Sequence, residues 1–394
     1  RFPSTGRPYP TGLSVRPHPS HCLPIGLRAP LANLFAVPWI SLVVLPLALL
    51  GTALLPFPYI GAGLLWLAGG ALAWLFKALA LLAEHLPAWM PTEVPVGYWL
   101  VSLLGAVLLL LPKGVPFRLL GGPMLLLAVF PPRESVPHGQ VDVVQLDVGQ
   151  GLAIILRTRN HVLLYDAGPR SGEFDLGERV VLPALRKFGV AELDMMLLSH
   201  ADADHAGGAA AVARGLPIKR VVGGETERLP AFLGIQPCVS GERWEWDGVT
   251  FELWQWSGAT SGNPKSCVLL VQANGERLLL TGDIDRAAEQ ALLATPLGVP
   301  VDWLQAPHHG SRSSSSWPFL QQLAPKAVLI SRGRSNAFGH PHPQVMERYQ
   351  ALGSAIYDSA EHGALRLQLG TFLPPESARS QRRFWRDLPP QPSV

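Results

Sequence analysis

Charge is scarce in this sequence. Only 15% of its 394 residues are Asp, Glu, Lys or Arg and 48% are apolar, where an ordinary soluble domain carries about 25% charged residues. That balance excludes a disordered chain, which needs low hydrophobicity and high charge. Cysteine is scarcer still. Cys22, Cys238 and Cys267 are too few and too irregularly spaced for a disulfide framework or a cysteine-based zinc knuckle. The net charge of +3 comes from the first third: residues 1–130 hold 7 Lys/Arg against 2 Asp/Glu, and residues 131–394 hold 25 against 27. Net charge therefore gives no basic groove for nucleic acid. Residues 1–28, rich in Pro, Ser and Arg, read as unstructured or as a fragment edge. They are not a signal peptide, because the apolar run comes too late.

The longest absence is a run of 48 residues between Arg28 and Lys77 without a single charged side chain. That length suffices for two crossings of a hydrocarbon core. Crossings are expected near 33–54 and 60–83, with the turn at Pro56 and Pro58. A third is expected over 94–112, with Tyr98 and Trp99 at an interfacial depth. The run 119–132 is shorter. It reads as a crossing curtailed by Gly121, Gly122 and Pro123, a re-entrant piece, or a buried helix. Core helices of a large soluble protein are the alternative for all four runs. Lys113 and Arg118 favour one orientation and the basic lead favours the other.

After Pro131 and Pro132 the pattern changes to short strands of period two, which places a domain boundary there. Val141–Val148, Leu152–Arg157 and Val162–Asp166 read as consecutive strands, followed by a helix over 176–188 and the strand Met195–Ser199. Strands Cys267–Gln272 and Arg277–Thr281 flank Asn274-Gly275, a strong hairpin signal. A helix Arg286–Leu293, strands Val301–Gln305 and Ala327–Ser331, and a helix Gln344–Leu352 complete the pattern, which predicts sheets covered by helices. Trp244, Trp246, Trp254 and Trp256 alternate as in a strand and read as core or edge packing, with base stacking the alternative. The tail 371–394, with Arg379, Arg382, Arg383 and Arg386, reads as basic and mobile.

Six of the twelve histidines fall in three groups, each after an expected strand: His200 and His205, His308 and His309, His340 and His342. The first group, Ser199-His200-Ala201-Asp202-Ala203-Asp204-His205, offers four ligands in six residues, separated only by alanines. Imidazoles and carboxylates together suit Zn²⁺ or Mn²⁺. A solvated acidic turn with His205 capping a helix is the alternative. Gly149-Gln150-Gly151 is not a phosphate loop, since neither a Lys-Ser/Thr pair nor a helix follows it.

The run resembles the H-x-H-x-D-H signature of the metallo-β-lactamase fold, with Asp202 in place of the second histidine. A carboxylate there tilts the site towards harder ions such as Mn²⁺. Tyr165-Asp166-Ala167-Gly168, Leu280-Thr281-Gly282-Asp283 and Ala306-Pro307-His308-His309-Gly310-Ser311 follow in the expected order. The resemblance implies that Asp283 bridges two metals; capping of the helix 286–293 is the alternative. No histidine lies between His205 and His308, so Asn263, Ser266 or water is expected where the fold usually has one. His309 or His340 is expected as the late ligand, and His308 as a proton donor. Asp147 and Asp166 are expected to support the ligands from behind, and Ser311, Arg312 and Asn336 to contact substrate.

Gln145-Leu146-Asp147-Val148-Gly149-Gln150-Gly151, the H-x-D-x-D-H variant, His308-His309-Gly310-Ser311, and Asn336 with Gly339-His340-Pro341 together resemble ComEC-type competence proteins. Asn33-Leu34-Phe35-Ala36-Val37-Pro38 is similar to the end of that family's membrane channel. The resemblance spans residues 25–370. It implies a transmembrane α-helical segment, the C-terminal part of a channel, over 29–132. It implies a metallo-β-lactamase-like αβ/βα sandwich over 138–370. The implied function is DNA uptake in natural transformation: two divalent ions, Mn or Zn, would serve a nuclease that degrades the strand not imported, with Asp204 and His308 central to catalysis. The implied place is the bacterial inner membrane, with the hydrolase domain on the outer face. DNA, membrane lipid, other uptake components and further copies of the chain are the implied partners. Two rivals stand beside it: a non-catalytic channel component with a degenerate hydrolase domain, and a tethered hydrolase of small esters or lactams.

Overall fold

The computed structural model describes residues 28–85, 96–130 and 135–380. The reading of 1–27, the boundary prolines Pro131 and Pro132, and the arginines Arg382, Arg383 and Arg386 lie outside the described residues. The chain divides into two units, Arg1–Met90 and Pro91–Val394.

In the first unit, α1 (Arg28–Trp39) runs through a π-helical turn at Ile40–Val44 into α2 (Leu45–Ala53), and α3 (Pro58–His85) follows. Pro56 falls in the turn and Pro58 opens α3, positions where proline removes no needed helical donor. Ala32–Ala53 and Tyr59–Ala83 are long and apolar enough to cross a membrane. Their apolar side chains point outward, with Leu42 and Trp66 each 76% exposed, so the alternative of buried core helices does not describe them. In the second unit, α4 (Val96–Leu110) and α5 (Gly121–Val129) are shorter than expected. Fifteen residues rise only about 22 Å, short of a hydrocarbon core of about 30 Å. The pair packs closely: Ser102 Oγ donates to the Met124 carbonyl at 2.9 Å.

The rest of the second unit begins with β1 (Val141–Gln145), β2 (Ile154–Arg157), β3 (Val162–Tyr165) and the short hairpin β4 (Arg170–Ser171) and β5 (Phe174–Asp175). The helix expected over 176–188 opens as a π turn, Gly177–Val181, and continues as α6 (Leu182–Lys187). Next come β6 (Leu193–Leu198), α7 (Ala203–Ala206), α8 (Ala209–Gly215), β7 (Ile218–Gly223), β8 (Gln236–Pro237), β9 (Arg243–Trp246), β10 (Val249–Trp254), β11 (Val268–Ala273) and β12 (Glu276–Leu280). α9 (Arg286–Leu293), β13 (Trp303–Gln305), α10 (Trp317–Leu323), β14 (Ala327–Ile330), α11 (Pro343–Ala351), β15 (Ala355–Asp358), α12 (Ser359–His362), β16 (Leu365–Leu369) and β17 (Glu376–Ser377) complete it.

Beside the β4–β5 pair, two large sheets result, ordered β17-β16-β1-β2-β3-β6-β7-β8 and β15-β14-β13-β12-β11-β10-β9. Their inner faces share one core, in which Ile154, Tyr165 and Leu197 of the first sheet meet Phe251, Leu269 and Leu280 of the second. The outer face of the first sheet packs under α6 and α8 through Leu185 and Val212, and that of the second under α9, α10 and α11 through Leu292, Leu320 and Val345. This is the expected αβ/βα sandwich. Asn274 and Gly275 turn β11 into β12 with φ of 45° and 84°, the twist that two-residue hairpins prefer. Trp244 stacks on Phe251 at 5.2 Å and Trp254 is buried, so these tryptophans serve packing.

Two expectations change. Cys238 and Cys267 form a disulfide, Cα–Cα 5.9 Å, because β8 and the start of β11 end side by side; sequence spacing carries no trace of that. The tail is not loose from residue 371, since β17 pairs with β16 and Arg379 Nη2 reaches Asp147 Oδ2 at 2.8 Å.

Candidate metal centre

Every principal site residue follows the C-terminal end of a strand: Asp166 after β3, His200 after β6, Asp283 after β12, His309 after β13 and Ser331 after β14. β3 is parallel to β6, and β12 to β13 to β14, so these ends gather at one edge of the sandwich.

Asp204, His205, Asp283 and His309 offer ligand atoms that all lie within 4.8 Å of one another. His205 Nε2 stands 3.1 Å from Asp283 Oδ1, and His309 Nε2 stands 3.4 Å from Asp204 Oδ2 and 3.6 Å from Asp283 Oδ2. The rings are held from behind. His205 Nδ1 meets Asp166 Oδ2 at 2.7 Å, and His309 Nδ1 meets the Ser331 carbonyl at 2.9 Å. Each partner is an acceptor, so each Nδ1 donates and each ring turns its Nε2 inward. Those two nitrogens face each other at 3.2 Å, which requires a proton or a cation between them. Asp283 Oδ1 and His200 Nε2 are buried with no hydrogen-bond partner, a costly arrangement without an ion. The residues fit a divalent metal.

Electrostatics points the same way. Burial would raise the Asp204 carboxyl, but the hydrogen bond to His309 and the charge of His205 bring it down to about 2. Burial likewise opposes ionisation of Asp283, yet His205 and His309 hold it well below the usual carboxylate range. His205 is pulled down by burial and then raised well above its ordinary value by Asp283 and Asp166. His200 is lowered, chiefly by burial and by His205 beside it. The cluster is two ionised carboxylates that hold a positive charge among imidazoles.

His200 stands beside the cluster. Its Nδ1 is 3.0 Å from Ser199 Oγ and 3.4 Å from Ser266 Oγ, while Nε2 is 3.7 Å from Asp202 Oδ2. Asp202 is half-exposed and tied to Arg228 at 3.0 Å. Asn263 and Ser266 lie beside these groups: Ser266 Oγ accepts from the Asp283 amide at 3.1 Å, and Asn263 Nδ2 is 3.1 Å from His308 Nε2. His308 lies 3.8 Å from Asp283 Oδ2. His308 and His309 both adopt left-handed backbone, φ 51° and 54°, an uncommon conformation outside glycine that clusters at functional sites.

Five expected residues are placed outside the cluster. His340 is outside the cluster, its ring 5.6 Å from that of His308, because its loop folds back on itself: Asn336 Nδ2 donates to the His340 carbonyl at 2.7 Å and Asn336 Oδ1 accepts from its amide. Asn336 is thereby spent on its own turn. Asp147 pairs with Arg379 rather than with any ligand. Ser311 Oγ turns to Ser313 Oγ at 3.1 Å, and Arg312 is exposed. The serine run is no open phosphate arm, since Ser314, Ser315 and Ser316 are buried.

The helix cap at α9 is Asp285, whose carboxylate accepts from the amides of Ala287 and Ala288, which leaves Asp283 free for the cluster. Three residues escaped the sequence. Ser199 Oγ donates to Asp166 at 2.8 Å beside both early histidines. Ser331 orients His309. Glu225, 1% exposed, accepts from the amides of Ala201 and Gly262 and so clamps two site loops together. Ser199 and Ser331 each stand at a strand end, a positional signal that serine alone does not strengthen.

Gly282 occupies φ +57°, and a Cβ there would stand 2.7 Å from Ser199 Cβ and 3.1 Å from Ser266 Cβ. Gly282→Ala is expected to cost at least about 1–2 kcal/mol and to displace Asp283. A thermal melt beside metal quantification checks both; unchanged metal content would contradict the placement.

Residues 21–115 match the family described as competence protein, and residues 146–334 match the metallo-beta-lactamase superfamily. The chain is 36% identical over 370 residues to competence protein ComA of Neisseria gonorrhoeae, which covers 92% of this chain and 51% of that protein. It is 34% identical over 349 residues to the uncharacterized protein YcaI of Escherichia coli (strain K12), covering 86% and 45%. It is 29% identical over 280 residues to ComE operon protein 3 of Bacillus subtilis (strain 168), covering 63% and 36%. The chain spans about half the length, or less, of these curated relatives.

Proposed function

This chain is of the ComEC type, a competence-protein domain followed by a metallo-β-lactamase domain, and on that premise we propose that it serves DNA uptake as a metal-dependent phosphodiesterase. The supporting observation is the cluster Asp204, His205, Asp283 and His309, with the Nε2 atoms of its two histidines 3.2 Å apart and an unpartnered buried carboxylate oxygen. Two divalent ions, Mn²⁺ or Zn²⁺, are the proposed cofactors, one held by that cluster and one by His200 and Asp202 with Asp283 shared. Such ions activate water near neutral pH and offset charge on the attacking and leaving oxygens of a phosphodiester.

The chain's own groups supply the rest. Asp166 and the Ser331 carbonyl fix the tautomers of His205 and His309, so both present Nε2 inward. His308, the most accessible of these histidines at 26% exposure, is the proposed donor to the leaving oxygen, with Asn263 and Ser313 against its ring. DNA, with its strand not imported as the substrate, is the proposed partner, alongside membrane lipid and other uptake components.

The proposed place is the bacterial inner membrane, with this domain on its outer face. Two apolar helices with outward side chains support the first part. The Cys238–Cys267 disulfide supports the second, because such bonds persist outside the reducing cytoplasm.

The full chain in detergent micelles, loaded with Mn²⁺ or Zn²⁺, is expected to cleave DNA, and Asp204→Ala to abolish that cleavage. Stoichiometric metal without turnover would favour the non-catalytic rival instead.

A further inference from the structure

We propose that Arg286, Trp317 and Arg348 form a second subsite that holds a neighbouring nucleotide of a single strand whose phosphodiester lies at the metal centre. The proposal rests on the phosphodiesterase reading and extends it along the strand.

The serine run has two sides. Towards the centre, Ser313 Oγ touches His308 Nδ1 at 3.3 Å. Away from it, the loop is fastened to two helices, α9 and α11. The Arg286 amide donates to the Ser313 carbonyl at 3.0 Å. Buried Glu289 accepts from the amides of Ser315 and Ser316. Arg348 Nη1 donates to the Ser315 carbonyl at 2.9 Å, and Ser315 Oγ meets Tyr349 Oη at 2.7 Å. This is a rigid partition rather than a floppy linker.

Beyond it opens a cavity of about 470 Å³ walled by Arg286, Gln290, Leu293, Trp317, Pro318 and Arg348. No carboxylate lines it. Glu289, on the same helix, is buried and turned to the loop amides. Arg286 has no ion pair among the described residues, and the hydrogen bonds of Arg348 go to carbonyls. Trp317 keeps 39% of its surface exposed.

Two guanidiniums take a phosphate, but they would take any phosphate. An accessible indole and a side-chain amide beside them add a platform for a planar ring and a polar contact for its edge, the combination that single-strand binders use. Position supports the link to the centre. Arg286 follows Asp283 by three residues, a span of at most about 11 Å, within reach of the next one or two nucleotides.

The test uses the full chain in detergent micelles and the fluorescence anisotropy of a labelled phosphorothioate single strand, which keeps its charge and resists cleavage. Arg286→Ala and Trp317→Ala are each expected to weaken binding about tenfold, with thermal melts unchanged. Against an abasic strand, Trp317→Ala is expected to have no effect while Arg286→Ala keeps its own. Wild-type binding by either variant overturns the subsite. Equal loss by Trp317→Ala on both strands also overturns it, since the indole would then serve no base. If wild type cleaves no diester while both variants lose the intact strand as stated, the subsite stands and the hydrolytic reading falls.

Discussion

Asp283→Ala is expected to remove bound metal from the cluster and to lower phosphodiester cleavage by more than about 1000-fold, or about 4 kcal/mol of transition-state stabilisation. The residue is 2% exposed, and its carboxylate approaches His205, His309 and His308 at 3.1, 3.6 and 3.8 Å. No neighbour can replace it. Without that carboxylate, Asp204 is the only anionic ligand left beside His205 and His309, too little negative charge to hold a buried divalent ion. Asp285→Ala supplies the comparison. It sits two residues on, caps α9, and is expected to cost about 1 kcal/mol of stability while metal and turnover persist. Elemental analysis of both purified variants separates the roles. Full metal content in Asp283→Ala would dismantle the proposed centre, and loss of metal in Asp285→Ala would show that the helix, not the ligand, carries the effect.

What the sequence disclosed about this centre follows chain distance. Asp204 and His205 are adjacent in sequence and enter the cluster together, whereas His200 and Asp202 of the same run lie beside it, with Asp202 tied to Arg228. Asp283 was readable only through resemblance, because a lone aspartate before a helix reads equally well as a cap; the structure assigns that task to Asp285. The choice between His309 and His340 was not readable. It depends on two consecutive left-handed residues and on an asparagine that folds the later loop onto itself, and neither has a periodic signal. The strands followed the same rule. Hairpins such as β11–β12 announce themselves through Asn274-Gly275, whereas β16 pairs with β1 across the whole domain, Leu369 opposite Val141, and the partner of an isolated apolar run cannot be read locally. The disulfide is the extreme case, set wholly by which strand ends become neighbours.

That disulfide carries the second large expectation. Cys238 and Cys267 are 29 residues apart in sequence, and closing a loop of that size restricts the unfolded chain by about 3–4 kcal/mol. The paired variant Cys238→Ala with Cys267→Ala is expected to lose most of that stability, and wild type treated with a reductant is expected to melt at the same lowered temperature. The consequence reaches the centre. The Cys267 amide donates to the Ser199 carbonyl at 2.8 Å, and its carbonyl accepts from Tyr165 Oη at 2.8 Å. Ser199 and Ser266 both contact His200. Releasing Cys267 is therefore expected to loosen the support of His200, and bound metal is expected to fall together with the melting temperature. Alkylation of thiols in intact cells decides whether the bond exists where the protein works. Protection of both cysteines until reductant is added places this domain on the oxidising side of the membrane. Immediate modification of both would remove the bond, the stability assigned to it and the outer-face placement together.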